Sequence, residues 1–200
     1  MSRENCRAAI ASTPPETIAE RLHKAAPEIC GCEAYQLGED SPGRVADGET
    51  LNLVVSDPNS LLPDGSLNPS MLVQLDFSGV SVLRDCATND EFDLTLRELK
   101  ARSTAAGATR YFHGVCAFAA ARVRYDEGAR LVGVYDTSLP QKPNHADMIA
   151  PDHHAGTDAS KSQRERERRK RHKRVIELIG STLVPARQFR SGSFKAFART

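Results

Sequence analysis

Thr50-Leu51-Asn52-Leu53-Val54-Val55-Ser56, halted by Asp57-Pro58-Asn59, and the stretch Met71 to Leu83 decide the fold class. The first is rich in apolar and β-branched residues and ends at strong turn formers, so it reads as a strand. The second holds alternating apolar positions on both sides of Gly79 and fits one bent strand or two short ones. Asp64-Gly65 and Asn68-Pro69 mark the intervening loop as turns. Further on, Asp126-Glu127-Gly128 reads as a turn before a buried strand, Arg130 to Tyr135. Tyr111 to Tyr125 stays open between helix and strand, because its alanines suit one and Val123 and Tyr125 the other.

Helices interrupt these strands. Thr13-Pro14-Pro15-Glu16 has the form of an N-terminal capping box, with Ile18, Leu22 and Ala25 on one face behind it and Pro27 as a stop. Thr88-Asn89-Asp90-Glu91 repeats the box ahead of Phe92, Leu96 and Leu99, with Gly107 as terminator. Ser162-Gln163-Arg164-Glu165 opens a third helix over about residues 163–179, closed by Gly180. Mixed helices and strands in irregular order imply an α+β class, as one small domain.

Charge divides the chain. Residues 1–160 carry 14 Lys+Arg against 23 Asp+Glu, and residues 161–200 carry 13 against 3. The expected organisation is therefore an acidic α+β domain over 1–158, followed over 159–200 by a basic helix and a basic, aromatic tail. In the helix, Glu165 and Glu167 precede Arg169 and Arg171 by four residues, a favourable ion-pair spacing. Its first three turns are too charged to bury and its last turn is apolar, so it is expected to project from the body like a peg.

No apolar run approaches the ~20 residues of a membrane span, and Met1 to Cys6 carries Glu4 and no apolar stretch, unlike a secretory signal. Cys6, Cys30, Cys32, Cys86 and Cys116 are odd in number and scattered, so they read as reduced thiols in a cytoplasmic protein. Cys30-Gly31-Cys32 has no second close pair to complete a four-ligand metal site, and no metal is assigned. Arginine supplies 20 of the 27 basic residues, which suits a GC-rich bacterial genome.

Residues 137–160 hold Pro140, Pro143 and Pro151 and read as an irregular loop. They also hold the densest cluster of imidazoles and carboxylates: His145, Asp147, Asp152, His153, His154 and Asp158. Such groups suit acid/base work, although their spacing matches no metal or catalytic template. His145 with Asp147 is the favoured pair. Arg84, Arg110 and His113, at predicted strand ends, could join His145 in an anion pocket. The plain alternatives are a polar linker and ordinary surface charge. Nucleotide-binding glycine loops and nucleophile elbows are absent from the sequence, and no cofactor is indicated.

The basic helix is the strongest physical signal. Arg164, Arg168, Arg169, Arg171, Lys173 and Arg174, with Arg187 and Arg190 of the tail, are expected to contact nucleic acid phosphates, DNA or RNA. The first expectation is a nucleic-acid-associated binding protein. The alternative is a hydrolase or transferase of a phosphate-containing or nucleic acid substrate using His145 and Asp147. A further alternative is a non-catalytic component of a bacterial multi-protein system, its helix docked on an acidic protein partner.

Overall fold

In the computed structural model, which describes residues 2–11, 16–26, 28, 30–56, 60–105, 111–151 and 159–188, the chain opens with helices α1 (Arg3–Ala11) and α2 (Ile18–Ala25). Helix α1 is capped by Ser2, whose hydroxyl accepts from the Asn5 amide at 3.2 Å, a start signal the sequence reading passes over. The cap of α2 is Thr17, not Thr13: the Thr17 hydroxyl accepts from the Glu20 amide at 3.2 Å, and the Glu20 carboxylate accepts from the Thr17 amide at 2.8 Å. Both boxes satisfy the same pattern, and the one adjoining the buried Ile18 and Leu22 forms the helix. Thr13 and Pro27 lie outside the described residues.

Strand β1 (Thr50–Val55) follows the sequence reading. Met71 to Leu83 does not form two strands. Pro69–Asp76 is a 3-10 helix, begun where the Asn68 side chain accepts from the Ser70 amide at 3.0 Å with Pro69 in the first position. Gly79, at φ +88°, then redirects the chain into β2 (Val80–Arg84). Thr88 and Glu91 close the expected box on α3 (Asn89–Ala105). The open stretch resolves into β3 (Gly114–Ala119), the single turn α4 (Ala121–Arg124) and β4 (Tyr125–Asp126), which pairs with β5 (Ala129–Arg130) around Glu127-Gly128. The expected strand from Arg130 to Tyr135 is thus divided, with β6 covering Gly133–Asp136.

The largest correction falls on the proline-rich stretch. His145–Ile149 is strand β7, inside the main sheet between β6 and β2. Ala146 and Met148 point into one buried face and Ile149 into the other. Pro140 and Pro143 precede the strand and Pro151 follows it, so its ladder is left intact.

Helix α5 (Lys161–Ile179) starts two residues before the expected position, because Ser160 and Gln163 form the capping box. At φ −60° Gly180 does not make a left-handed stop. The chain passes through a 3-10 turn, Gly180–Thr182, into β8 (Leu183–Pro185), an edge strand paired with β3. The segment after residue 159 therefore supplies a helix to the core and a strand to the sheet.

The sheet has six antiparallel strands in the order β6-β7-β2-β1-β3-β8. One face, with Leu51, Leu53, Val55, Val82 and Met148, packs on Leu72 and Leu75 of the 3-10 helix and on Val175, Ile176 and Ile179 of α5. The other is covered at one end by α3 through Phe92, and at the other by α1 and α2 through Ile18 and Leu22. Burying each such side chain contributes about 1.5–3 kcal/mol, enough to hold both layers on the sheet.

Cys6 and Cys32 are joined by a disulfide across 26 positions, with Cα atoms 5.6 Å apart, and both are buried. The reduced-thiol reading fails for this pair, because α1 packs on α2 and the short turn at Gly31–Ala34 and brings the two sulfurs together. The cysteines therefore no longer support a reducing compartment. Cys30, Cys86 and Cys116 are free, and among the described residues no helix is long and apolar enough to cross a membrane.

Candidate phosphate-binding helix and the Asp147 groove

Helix α5 meets the body through a buried carboxylate. Asp76 ends the 3-10 helix; its Oδ1 accepts from Arg171 Nη1 at 3.0 Å, and its Oδ2 lies 2.7 Å from His172 Nε2. Arg168 Nε approaches the same carboxylate at 3.8 Å. One turn onward, Asp126 accepts from Nε and Nη2 of Arg174 at 2.9 and 2.8 Å. The hydrogen bond from Arg174 holds the Asp126 carboxyl below its ordinary value, and the same contact raises Arg174.

The helix is thus docked further toward its N-terminus than its apolar last turn alone accounts for. Two carboxylates of the body, the buried Asp76 and the half-buried Asp126, select one flank of a charged helix, and the opposite flank keeps the exposed character expected of it. The expected phosphate-binding residues divide accordingly. Arg168, Arg171 and Arg174 bind body carboxylates, and Arg164 is half-buried. Arg169 and Lys173 are exposed; Arg169 pairs with Glu165 at 2.9 Å, and Lys173 is 4.0 Å from Glu177. The sequence reading passes over Arg166 and Lys170, which are both exposed. Arg166, Arg169, Lys170 and Lys173 follow i, i+3, i+4, i+7 spacing and form one outward stripe. The signal was available in the sequence, since the apolar Val175, Ile176 and Ile179 fix the inner face and this stripe is its complement. Arg187 lies in the terminal turn Ala186–Gln188; its side chain and Arg190 are outside the described residues.

The proposed acid/base pair does meet. His145 and Asp147 share one face of β7, with Nε2 and Oδ1 3.8 Å apart. Thr137, which the sequence did not flag, links them: its hydroxyl donates to Asp147 Oδ2 at 2.8 Å and lies 3.1 Å from His145 Nδ1. A proton on Nδ1, donated to the Thr137 carbonyl oxygen at 3.1 Å, satisfies the whole set. Asp147 opens onto a groove of about 650 Å³ between the sheet and α3, lined also by Ser56, Ser81, Thr95, Glu98 and Lys142. Lys142 donates to Glu98 at 2.6 Å there, so its charge is already matched.

The expected anion-holding partners are elsewhere. Arg84 is buried on the other face of the sheet, where Glu49 holds it with both carboxylate oxygens, the Gly43 carbonyl accepts at 2.6 Å, and Asp136 lies at 3.5 Å. Burial works against its charge, but Glu49 and Asp136 outweigh that and raise its pKa. His113 precedes β3 at the end of the sheet where Val55 lies, whereas His145 pairs with Leu83 at the opposite end. Arg110, Asp152, His153, His154 and Asp158 lie outside the described residues. Glu49, Asp85 and Cys86 have ligand-type atoms within 4.8 Å of one another, but the guanidinium of Arg84 already neutralises Glu49 and Cys86 donates to Asn144 at 2.8 Å. A cation would have to displace both. No known protein family, curated protein or solved structure matches the chain.

Proposed function

We propose that the protein binds nucleic acid phosphates through the outward stripe Arg166, Arg169, Lys170 and Lys173 of α5. The observation that carries this reading is the division of charge on the helix. Its inner cations are matched by Asp76 and Asp126, so the acidic body fixes the helix without covering the outer stripe. A docked helix presents the four cations in one row, so no backbone need be ordered on meeting a phosphate backbone, and each neutralised phosphate releases condensed counterions. Such contacts position a protein on the backbone without reading bases.

The reading is tested by fluorescence anisotropy with labelled DNA and RNA at two salt concentrations. Binding through all four cations implies a log–log salt slope of about −3 on single strands. Arg166→Glu with Lys170→Glu should abolish most of that affinity. Salt-insensitive or absent binding would move the stripe to an acidic protein partner. Among the described residues of its proposed set, the enzyme reading keeps His145 and Asp147 together, while Arg84 and His113 lie away from them.

A further inference from the structure

We infer that a slit between β1 and β2 binds a short extended peptide, with a basic side chain of that peptide set against Asp147. The site is separate from the stripe of α5 and takes a different class of ligand. Strands β1 and β2 are neighbours at the centre of the sheet, but they pair at two positions only, Leu51 with Arg84 and Asn52 with Leu83. Their outer partners stay joined further along: β3 follows β1 to Val55, and β7 follows β2 to Val80. The two central strands therefore part beyond Asn52 and Leu83. The groove of about 650 Å³ is lined on one side by Leu53, Val54 and Ser56 and on the other by Gly79, Val80 and Ser81, so it lies in the opening.

The parting leaves backbone groups that a continued ladder would satisfy. Along an antiparallel strand, successive residues turn their N–H and C=O to alternate neighbours. The Glu49 carbonyl accepts from the Ala120 amide and the Val55 carbonyl from His113, so the odd residues of β1 face β3 and Val54 faces the slit. The Arg84 amide donates to the Asn144 carbonyl ahead of β7, so by the same alternation Ser81 faces the slit from the other side. Val54 and Ser81 would be partners if the register of Asn52 and Leu83 continued, and among the described residues neither backbone finds another hydrogen-bond partner. Ser81 is exposed although it belongs to an inner strand. Facing donors and acceptors on two strand edges are matched by an extended chain, which carries both groups at a repeat of about 3.3 Å.

Side chains of a strand alternate between faces, and the two faces of the slit differ. On the α3 side Ser81 lies opposite Asp147 in the β2–β7 register. The Thr137 hydroxyl occupies Oδ2 of Asp147, and no lysine or arginine among the described residues pairs with its Oδ1. Glu98, the other carboxylate lining the groove, already accepts from Lys142 and lies 3.9 Å from Arg102. A lysine or arginine of the peptide is therefore the side chain that completes this face. On the opposite face Leu53, Met71 and Val80 offer apolar contact. The ligand is an extended segment in which basic residues alternate with apolar ones.

The test uses the full chain and a labelled, terminally blocked short peptide alternating valine with lysine, followed by fluorescence anisotropy and amide hydrogen exchange. In the free protein the Val54 and Ser81 amides should exchange faster than those of Leu53 and Val82 beside them, and both should gain protection as the peptide binds. Ser81→Pro removes a donor that has no partner in the free fold, at a position where an outward N–H tolerates proline. Its melting temperature should match the parent while peptide affinity falls about fivefold. N-methylating the peptide at alternate residues, which leaves the protein untouched, should lower affinity about tenfold or more. Replacing lysine by glutamate in the peptide should do the same through repulsion at Asp147. Slow exchange at Val54 and Ser81 in the free chain overturns the inference, as does binding that survives N-methylation or the absence of binding. None of these probes carries a phosphate, so the reading of α5 stands or falls separately.

Discussion

Asp76 Oδ2 and His172 Nε2 lie 2.7 Å apart across ninety-six positions of sequence, and both residues are buried. With Arg171 on the other carboxylate oxygen, the pair latches a helix whose middle is too polar to be held by apolar contact. The attraction between Arg171 and Asp76 acts where water is largely excluded, so it is stronger than an exposed ion pair of the same geometry. Removing the acid alone leaves its buried partners uncompensated. Asp76→Ala should cost about 3–5 kcal/mol, or roughly 6–20 °C in melting temperature for a domain of this size. Hydrogen exchange should rise first in the turns around Arg168 and Arg171, ahead of the apolar turn at Val175 to Ile179. A loss below about 1 kcal/mol would mean that apolar packing alone docks the helix.

How far such features could be read from sequence depended on whether the information was local. The Thr88 box of α3 and strand β1 were legible because cap and periodicity sit within a few residues. Two boxes of equal pattern near Thr13 and Thr17, and again near Ser160 and Ser162, could not be ranked without knowing which residue adjoins the core. Strand β7 was hidden by its composition: His145 and Asp147 made a polar stretch after Pro143, and only pairing with β2 and β6 buries it. The apolar Val175, Ile176 and Ile179 mark the inner face of α5 in the sequence, but which of its cations are paired shows only once Asp76 and Asp126 are placed beside the helix. Likewise Arg84 at a strand end reads as a candidate ligand holder until Glu49, thirty-five positions away, is seen to occupy it.

Glu91 should make stability pH-dependent in a defined direction. Its carboxylate accepts from the Thr88 amide at 2.7 Å and from both the backbone and side-chain amides of Asn144 at 2.9 Å, tying α3 to the start of β7. Burial alone would raise its pKa, but the Asn144 and Thr88 hydrogen bonds outweigh that and hold it below the ordinary value of 4.5. A depressed folded pKa stabilises the fold above the unfolded value, and the contribution is lost as pH falls through the folded one. Glu91→Gln should therefore cost about 1–2 kcal/mol near neutral pH, with the difference shrinking as pH falls below the ordinary carboxylate value of 4.5 and through the lower folded one. Urea midpoints at neutral and acid pH check this; a pH-independent difference would show that charge is not what the contact uses.

The Cys6–Cys32 bond predicts a thiol count. In denaturant without reductant, three of the five cysteines should react with a thiol reagent, and five after reduction. Five at the outset would refute the pairing. In the folded protein Cys116 should be the slow one, since burial pushes its thiol up to about 12. Closing a loop across 26 positions constrains the unfolded chain by about 3–4 kcal/mol on a chain-entropy account. Reduction should lower the melting temperature by a corresponding amount, and Cys6→Ala with Cys32→Ala should abolish the effect of reductant.

Arg84 allows the two roles considered for it to be separated by stability alone. Its guanidinium joins Glu49 on β1's approach, the Gly43 carbonyl and Asp136 at the end of β6, so it stitches the loop before β1 to two strands. Asp136 Oδ2 in turn accepts from the Leu37 and Gly38 amides at 3.0 and 3.3 Å. Arg84→Ala leaves the buried Asp136 and the partly buried Glu49 without a counter-charge, which should cost about 3–5 kcal/mol. Arg84→Lys keeps the charge but loses the planar fork that reaches three acceptors at once, and should recover only part of that. A substrate-holding arginine would behave oppositely, since its removal relieves local repulsion and leaves the fold as stable as before. An unchanged melting temperature in Arg84→Ala would therefore return Arg84 to the candidate ligand pocket, and a loss of several kilocalories places it in the scaffold.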